Sequence, residues 1–276
     1  NQIVSPPKLE RLADLQQRQE VMVAVDNPAV VPVLGQAARR RGAVLPVVLE
    51  LDIGMHRAGV QPGLPALGLA RAAASTPGVR LCGLMGYEGH VLAVEPPEEK
   101  VRQCHQALDL LLQTRDLLLR DGLPCPVVSA GGTGCYAITA AYPGITEVQA
   151  GGGVFMDAMY RKKFGVTGLG CALTVLTTVT SQAAQHVVVD AGFKALSAYH
   201  HPPFVAGRDD LELRYLSAEH GVFAVRPGGV SPSLGERLHL VVGYSDSTDF
   251  LHDRFLATRA GRVERVWEIK GRGCLT

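Results

Sequence analysis

The feature that most constrains this chain is a change in its pattern of strands and helices near residue 165. Before that point, short apolar strand-like segments alternate with helical segments, which is typical of βαβ units and a parallel sheet. After it, short strand-like segments separated by glycine turns follow one another without a helix of any length. The sequence therefore predicts an α/β domain over residues 1–165 and an all-β domain over residues 166–276.

The first part contains five predicted strands, and each is linked to the next by a predicted helix or loop. The strands are predicted at Val21–Val25, Leu45–Leu51, Leu81–Tyr87, Pro126–Ser129 and Glu147–Ala150. The helices are predicted from Pro7, from Pro28 to Arg41, and at Pro65–Ala74, Glu98–Arg120 and Tyr136–Ala141. Five strands do not close an eight-stranded barrel. The pattern leaves open either an open sheet or a barrel of which about three units precede Asn1.

Charge and composition favour a small-molecule ligand. The 27 basic and 26 acidic residues leave a net charge of +1, so no basic field exists to bind nucleic acid or an anionic membrane. Aromatic residues make up only 5%, which argues against base stacking. No apolar run reaches the roughly 18 residues that a membrane-spanning helix needs.

The cysteines and the first residues bear on the cellular location. The six cysteines form no CxxC pair, which is typical of reduced thiols in a cytoplasmic protein. The segment that begins at Asn1 has no basic region followed by a long apolar run, so it does not resemble a signal peptide. We expect this start to lie inside a longer chain.

Three polar side chains lie at or just after the ends of predicted strands and are candidate site residues. Arg57 lies in a glycine-bounded loop, where its fork of donors could bind a phenolate, a carboxylate or a phosphate, or simply face solvent. Tyr87 ends the next predicted strand and His90 follows shortly after, where they could contact a ligand or transfer a proton, or serve a structural role. In parallel α/β folds the ligand binds at this carboxyl end of the strands.

Two glycine-rich turns, at residues 129–134 and 150–153, follow neighbouring strands. Glycines let backbone N–H groups approach an anion closely, so two such turns together predict a phosphate site. In the second part of the chain, Asp246 could bind a metal or cap a turn, and its setting favours the turn cap.

Taken together, these segments resemble the D-threonine aldolase and D-serine dehydratase family, which shares its fold with alanine racemase. The motifs that carry the resemblance run in order through the chain: LDIGMHRAGV (51–60), GLMGYEGH (83–90), SAGGTGCY (129–136), TEVQAGGGVFMD (146–157), VVVDAGFKALS (187–197), SAEHG (217–221) and LHDRF (251–255). The match extends over nearly the whole chain, which makes it specific.

The resemblance implies a (β/α)8 barrel of the alanine racemase kind that carries pyridoxal 5'-phosphate. A C-terminal β domain would complete the active site, often that of the partner in a homodimer. By position, Arg57 faces the cofactor's phenolic oxygen, and Tyr87 and His90 lie beside the substrate. Gln149 takes the place of the racemase arginine that faces the pyridine nitrogen, and a neutral amide there leaves this nitrogen less protonated. The phosphate is held by Gly131, Gly132, Thr133, Gly151 and Gly152.

The chain departs from the family at the Schiff-base lysine, which ends the first barrel strand in family members. The lysines of this chain are Lys8, Lys100, Lys162, Lys163, Lys194 and Lys270, and none ends an early strand. Lys194 follows a strand of the predicted β domain and is a poor substitute. Because the chemistry needs that amine, we expect an N-terminally truncated form of a longer enzyme that is inactive alone.

A second departure lies at the metal site. Family members bind a divalent ion through a histidine and, two residues later, a cysteine or aspartate, whereas this chain has Tyr244 and Asp246. A neutral phenol is a poor ligand, and a single carboxylate binds weakly. The resemblance thus implies Mn²⁺, Mg²⁺ or Zn²⁺ with Asp246 as the remaining ligand.

The function that the resemblance implies is a lyase reaction on D-3-hydroxy amino acids, with cleavage of D-threonine to glycine and acetaldehyde preferred. Alternatives of the same fold are a D-serine dehydratase, which would release ammonia, and a metal-free amino-acid racemase. An alternative of another class is a protein that binds pyridoxal phosphate without turnover.

Overall fold

The structure, a computed structural model of the chain, describes residues 1–275. These residues form two compact units, one ending at Gly151 and the other starting at Gly152.

The first unit is built on a parallel sheet whose strands lie in the order of the chain. The strands are β1 (Val23–Val25), β2 (Leu45–Leu51), β3 (Val79–Gly86), β4 (Val127–Ala130) and β5 (Glu147–Val148). The helices are α1 (Pro6–Gln16), α2 (Val30–Arg40), α3 (Leu64–Ser75), α4 (Pro97–Arg120) and α5 (Tyr136–Ala140). Each strand pairs in parallel with the next, and the order never reverses, as in barrel-type winding. The predicted alternation of strands and helices is confirmed.

The sheet is covered by helices that each bury one face. Every residue of β2 is buried, as expected for a strand with helices or neighbouring strands on both sides. The longest helix, α4, buries residues spaced three or four apart, which places them on one side of the helix. Those residues are Cys104, Ala107, Leu108, Leu111, Thr114 and Leu118.

Several predicted boundaries in this unit are wrong by one or two residues. Helix α2 begins at Val30 and not at Pro28, because Asn27 Oδ1 accepts the N–H of Ala29 at 2.9 Å and keeps the preceding residues in a turn. Strand β3 ends at Gly86, so Tyr87 lies just past it, and His90 lies in the short 3₁₀ turn Gly89–Val91.

The second unit is an antiparallel β structure. Its strands are β6 (Thr174–Gln182), β7 (His186–Val189), β8 (Phe204–Val205), β9 (Leu211–Leu216), β10 (Gly221–Val225), β11 (Arg237–Val241), β12 (Arg254–Arg259) and β13 (Arg262–Glu268). The first six form one sheet in the order β8-β11-β6-β7-β10-β9, and β12 pairs with β13 as a hairpin. The predicted β domain is thus confirmed as a fold class.

The core of this unit packs against one face of the six-stranded sheet around the fully buried Phe223. The core residues, mostly valine and leucine, are Val179, Val187, Val189, Ala191, Leu196, Val205, Leu211, Phe223, Leu238, Leu240 and Val242.

The prediction that the second part contains no helix is wrong. A short helix, α6 (Ser245–Asp249), follows β11. One π-helical turn, Met159–Lys163, lies before residue 166 and so outside the part to which that prediction applies. The N–H of Ser245 is held by Asp157 Oδ2 at 2.9 Å, and such a contact between distant residues has no local sequence signal. Asp246 therefore lies inside a helix, and its predicted role as a turn cap is wrong.

A search of residues 1–275 finds no helix that is long and apolar enough to cross a membrane.

Candidate active site

The loop after β2 brings an arginine to the carboxyl end of the sheet. Asp52 Oδ1 accepts the N–H groups of Gly54 at 3.1 Å and His56 at 2.9 Å, and Oδ2 lies 2.8 Å from His56 Nδ1. Burial would raise the pKa of Asp52, but these hydrogen bonds with His56 and Gly54 outweigh it and lower the pKa. His56 has a φ of 52°, which turns the chain sharply before the exposed Arg57.

The ring of Tyr87 connects this loop to the glycine turn after β4. Arg57 Cζ lies 5.6 Å from the ring centroid, within the range of a cation–π contact. The same ring lies against backbone, since a β-carbon at Gly132 would come within 2.9 Å of Tyr87 Cε2. Gly89 is crowded by the same ring. Three residues predicted for the site, Arg57, Tyr87 and Gly132, thus lie together.

His90 follows Tyr87 and lies against the loop after β2. A β-carbon at Gly54 would come within 2.5 Å of His90 Cε1, so this position must be glycine. Burial lowers the pKa of His90, although the carboxylates of Glu88 and Asp52 oppose the shift. The imidazole is therefore mainly neutral at neutral pH and can accept a proton.

The turn after β4 fits the phosphate of pyridoxal phosphate, the cofactor that the resemblance implies. Residues 131–135 are all buried, and Gly131 has a φ of 76°. Thr133 Oγ1 is buried and has no hydrogen-bond partner among residues 1–275. A buried hydroxyl without a partner is costly, so the turn is suited to a polar ligand. The Gly131 N–H is taken by Glu88 Oε2, so a phosphate would approach the backbone that follows it, where Gly132 and Gly134 carry no side chain to block access.

Gln149, at the end of β5, is held by a directed chain of hydrogen bonds. Its Nε2 donates to Ser129 Oγ at 2.8 Å, and the Ser129 hydroxyl donates to Glu147 Oε1 at 2.6 Å. Because Nε2 is engaged by Ser129, Gln149 Oε1 is left as an acceptor on the other side of the amide.

The second glycine turn is built differently from the first. Gly151 begins the short 3₁₀ helix Gly151–Val154, is exposed, and would meet nothing within 4 Å if it carried a β-carbon. Gly152 belongs to the second unit, where a β-carbon would come within 2.6 Å of Tyr160 Cε2.

The residues at the implied metal positions hydrogen bond to each other. The Tyr244 hydroxyl donates to Asp246 Oδ2 at 2.7 Å, and burial together with this contact raises the pKa of the phenol. Asp249, one turn later, has a buried Oδ1 that meets no hydrogen-bond partner in the described part of the chain. Burial and the Asp246 charge raise the pKa of Asp249 to about 6.

These donors do not fit a divalent metal site. A phenol that keeps its proton is a donor and not a ligand. Within the part of the chain that the structure describes, no three His, Cys, Asp or Glu side chains are grouped so that they could hold a metal ion. We therefore derive no step that passes through a metal.

Sequence reasoning missed Glu88, which lies between two predicted site residues and is fully buried. Its carboxylate contacts the N–H of Gly131 at 3.1 Å and the Cys135 thiol at 3.1 Å. These partners come from distant segments, so no spacing in the sequence could have pointed to them.

Comparisons with known proteins place the chain in a family. Residues 2–159 match the family model described as "Alanine racemase, N-terminal domain", and residues 172–258 match the one described as "Putative serine dehydratase domain". Among solved structures, that of D-threonine aldolase from Filomicrobium marinum matches with a TM-score of 0.95 at 33% identity. This match covers 100% of this chain and 76% of that one.

Curated relatives agree with this match. The chain is 37% identical to the D-threonine aldolase of an Arthrobacter species, over 99% of this chain and 73% of that protein. It is 34% identical to the 3-hydroxy-D-aspartate aldolase of Paracoccus denitrificans, over 99% of this chain and 72% of that protein. It is 28% identical to the D-threo-3-hydroxyaspartate dehydratase of a Delftia species, over 96% of this chain and 76% of that protein. The chain belongs to the D-threonine aldolase family, whose members share the alanine racemase-like fold.

Proposed function

We propose that this protein is a pyridoxal phosphate-dependent aldolase that cleaves D-3-hydroxy amino acids, with D-threonine as the preferred substrate. The observation that carries the proposal is the 37% identity to a D-threonine aldolase over 99% of this chain. The lower identity to the dehydratase, 28%, favours aldol cleavage over release of ammonia.

The residues of the first unit would hold the cofactor as follows. The turn at Gly131, Gly132 and Thr133 would bind the phosphate, which would give Thr133 Oγ1 the hydrogen-bond partner that residues 1–275 do not provide. Arg57, oriented by the ring of Tyr87, would donate hydrogen bonds to the phenolic oxygen. When bound, the cofactor supplies an electron sink for the electrons left by the broken bond. Gly151 and Gly152 remain proposed phosphate contacts, and Gln149 a proposed contact of the pyridine nitrogen.

The proton step is assigned to His90, whose neutral imidazole can take the proton of the substrate hydroxyl. As the O–H bond breaks, the hydroxyl carbon becomes the aldehyde carbonyl and the adjacent carbon–carbon bond is cleaved. A proton then returns to the α-carbon, so D-threonine is converted to glycine and acetaldehyde without any redox change. The lowered pKa of His90 supports this role, because the base must be unprotonated at neutral pH.

We further propose that residues 1–165 form the cofactor-binding domain and residues 166–276 a separate β domain, and that the protein works as a homodimer. The family-model ranges, 2–159 and 172–258, support the division.

We also propose that none of the six lysines of the chain is the Schiff-base lysine. Lys194 is exposed and pairs with Glu219 at 2.7 Å, and Lys100 Nζ donates to the carbonyl of Leu92 at 3.3 Å. Neither arrangement favours a reactive amine. The 276 residues alone would then be inactive, because they would lack the lysine that forms the Schiff base.

The test uses the protein made from its whole open reading frame, supplied with pyridoxal phosphate and D-threonine. We expect equal amounts of acetaldehyde and glycine, and Arg57→Ala should lower kcat/KM roughly 100-fold because charge stabilisation at the ring is lost. Arg71→Ala is the matched control, since Arg71 is exposed and pairs with Asp121 on the helical side of the fold. Ammonia in place of acetaldehyde would indicate a dehydratase, and the absence of both products would overturn the proposal.

A further inference from the structure

We propose that Glu88 is a positioning residue for the glycine turn: its buried carboxylate holds Gly131 and the segment behind it in place against the loop that carries Tyr87 and His90. What the turn binds rests on the proposed function above, whereas the positioning itself is a property of the chain and can be tested without a cofactor.

The carboxylate of Glu88 gathers donors from three separate segments. Glu88 Oε2 accepts the N–H of Gly131 at 3.1 Å. Glu88 Oε1 accepts the thiol of Cys135 at 3.1 Å and the hydroxyl of Thr139, and Cys104 Sγ lies 3.7 Å away. These donors belong to the turn after β4, to α5 and to α4.

None of these partners is a cation, although Glu88 is 0% exposed. A buried carboxyl group whose hydrogen-bond donors are neutral depends on those hydrogen bonds, because each unmet oxygen costs its full desolvation free energy. The donors and the carboxyl group therefore restrain one another. The contact with Cys104 and burial raise the pKa of Cys135, which keeps its thiol protonated and able to donate.

The turn needs such a restraint because of its own composition. Gly131 has a φ of 76°, a conformation that favours glycine, and its N–H donates to the Glu88 side chain and not to a strand or helix. Its bond to Glu88 fixes the first residue of the turn, and the Thr139 bond fixes the helix that follows. Glu88 is also next to Tyr87, whose ring packs against Gly132. One side chain thus sets the spacing between the two loops of the candidate site.

The decisive experiment is Glu88→Gln, followed by amide hydrogen exchange of the full chain without cofactor. Glutamine has the same shape but replaces one acceptor oxygen with a donor, which would leave the Gly131 N–H or the thiols unmatched. We expect exchange at residues 131–135 to become roughly ten- to a hundred-fold faster, while β2 stays protected.

Cys125→Ala is the matched control, because Cys125 is also a buried thiol near β4 but contacts Val127 and not Glu88. It should lower stability without selectively exposing the turn. The proposal is wrong if the amides of residues 131–135 exchange as slowly in Glu88→Gln as in wild type, or no faster than they do in Cys125→Ala. If Glu88→Gln fails to fold, Thr139→Val is the second variant, because it removes one of the donors to Glu88. We expect it to speed amide exchange at residues 131–135 by a smaller factor.

A second measurement connects the turn to its ligand. Pyridoxal phosphate and pyridoxal differ only in the phosphate, so the ratio of their dissociation constants isolates the contribution of the phosphate site. Glu88→Gln should weaken pyridoxal phosphate roughly ten-fold and leave pyridoxal nearly unchanged. If wild type shows no preference for the phosphate, the proposed phosphate site fails, and the exchange experiment still decides the role of Glu88. Equal weakening of both compounds would contradict a role specific to the turn.

Discussion

At the scale of single residues, the hydroxyl groups of two side chains near the candidate sites behave in opposite ways. Thr133 has a buried hydroxyl that finds no hydrogen-bond partner among the described residues, 1–275, whereas the hydroxyl of Tyr244 is engaged by Asp246. The first arrangement is open to a ligand. The second arrangement is closed to a ligand, because the Tyr244 hydroxyl already donates its hydrogen bond to Asp246 Oδ2.

This contrast predicts that one substitution creates a metal site. Tyr244→His would remove the hydroxyl proton and place an imidazole beside Asp246, with Asp249 one helical turn later. We expect this variant to bind Zn²⁺ or Mn²⁺ at least roughly ten-fold more tightly than wild type, since imidazole and carboxylates are suitable ligands for these ions. Equilibrium dialysis followed by metal analysis measures the difference.

Tyr199→His serves as the control for that comparison. Tyr199 lies in the same aromatic group, 6.4 Å from Tyr244 between ring centroids, but makes no hydrogen bond to Asp246. The expectation fails if wild type already binds one metal ion per chain, or if both histidine variants bind metal equally well.

At the scale of elements, strand β3 shows how one residue type can be required inside a regular element. Gly83 has a φ of 150°, lies where the register between β2 and β3 shifts, and faces the backbone of β4. A β-carbon there would overlap the carbonyl oxygen of Val127. The glycine is therefore set by close packing of two strands.

Gly83→Ala is accordingly expected to lower the free energy of unfolding by about 2 kcal/mol or more, because a backbone must move to admit the methyl group. Urea denaturation followed by circular dichroism measures this loss. Gly68→Ala is the opposite case, since Gly68 lies exposed inside α3 with nothing nearby, and it should raise stability by roughly 0.5–1 kcal/mol. A Gly83→Ala variant as stable as wild type would contradict the packing argument.

Elements with a strong internal pattern were predictable, and those that depend on distant partners were not. The limits of β2 (Leu45–Leu51) match the prediction because its run of mostly apolar residues ends at clear turn signals. Strand β8 is two residues long and exists only through its pairing with β11. Helix α6 depends on Asp157, far earlier in the chain.

The same division holds for the candidate site. Arg57, Tyr87 and the glycine turn could be named from their places after strands, because parallel strands bring their carboxyl ends together. Glu88 could not, because an acidic residue in a loop is usually solvated and only the fold reveals that this one is buried.

At the scale of the whole molecule, the cysteines give a test of how completely the chain is packed. All six are free thiols: Cys274 is exposed, Cys171 is half-buried, and Cys82, Cys104, Cys125 and Cys135 are buried. Burial raises the pKa of Cys125 to about 11, so at pH 8 it holds its proton and reacts slowly.

With an aromatic disulfide reagent at pH 8, we therefore expect one fast thiol, Cys274, and four that react only as the protein unfolds. Adding urea should release all six. Cys274→Ser should remove the fast phase alone. Rapid reaction of four or more thiols in the native protein would show that the core is less closed than the structure describes.

The strand order of the two units has a consequence for how the chain folds. In the first unit each strand pairs with the next along the chain, so every pairing closes a loop of one helix or turn. In the second unit β6 pairs with β11 and β8 pairs with β11, so the sheet cannot be completed until nearly all of its residues are available. The entropic cost of closing a loop rises with the number of residues it encloses, so such pairings form slowly. We therefore expect the first sheet to assemble progressively during synthesis, whereas the second waits for β11.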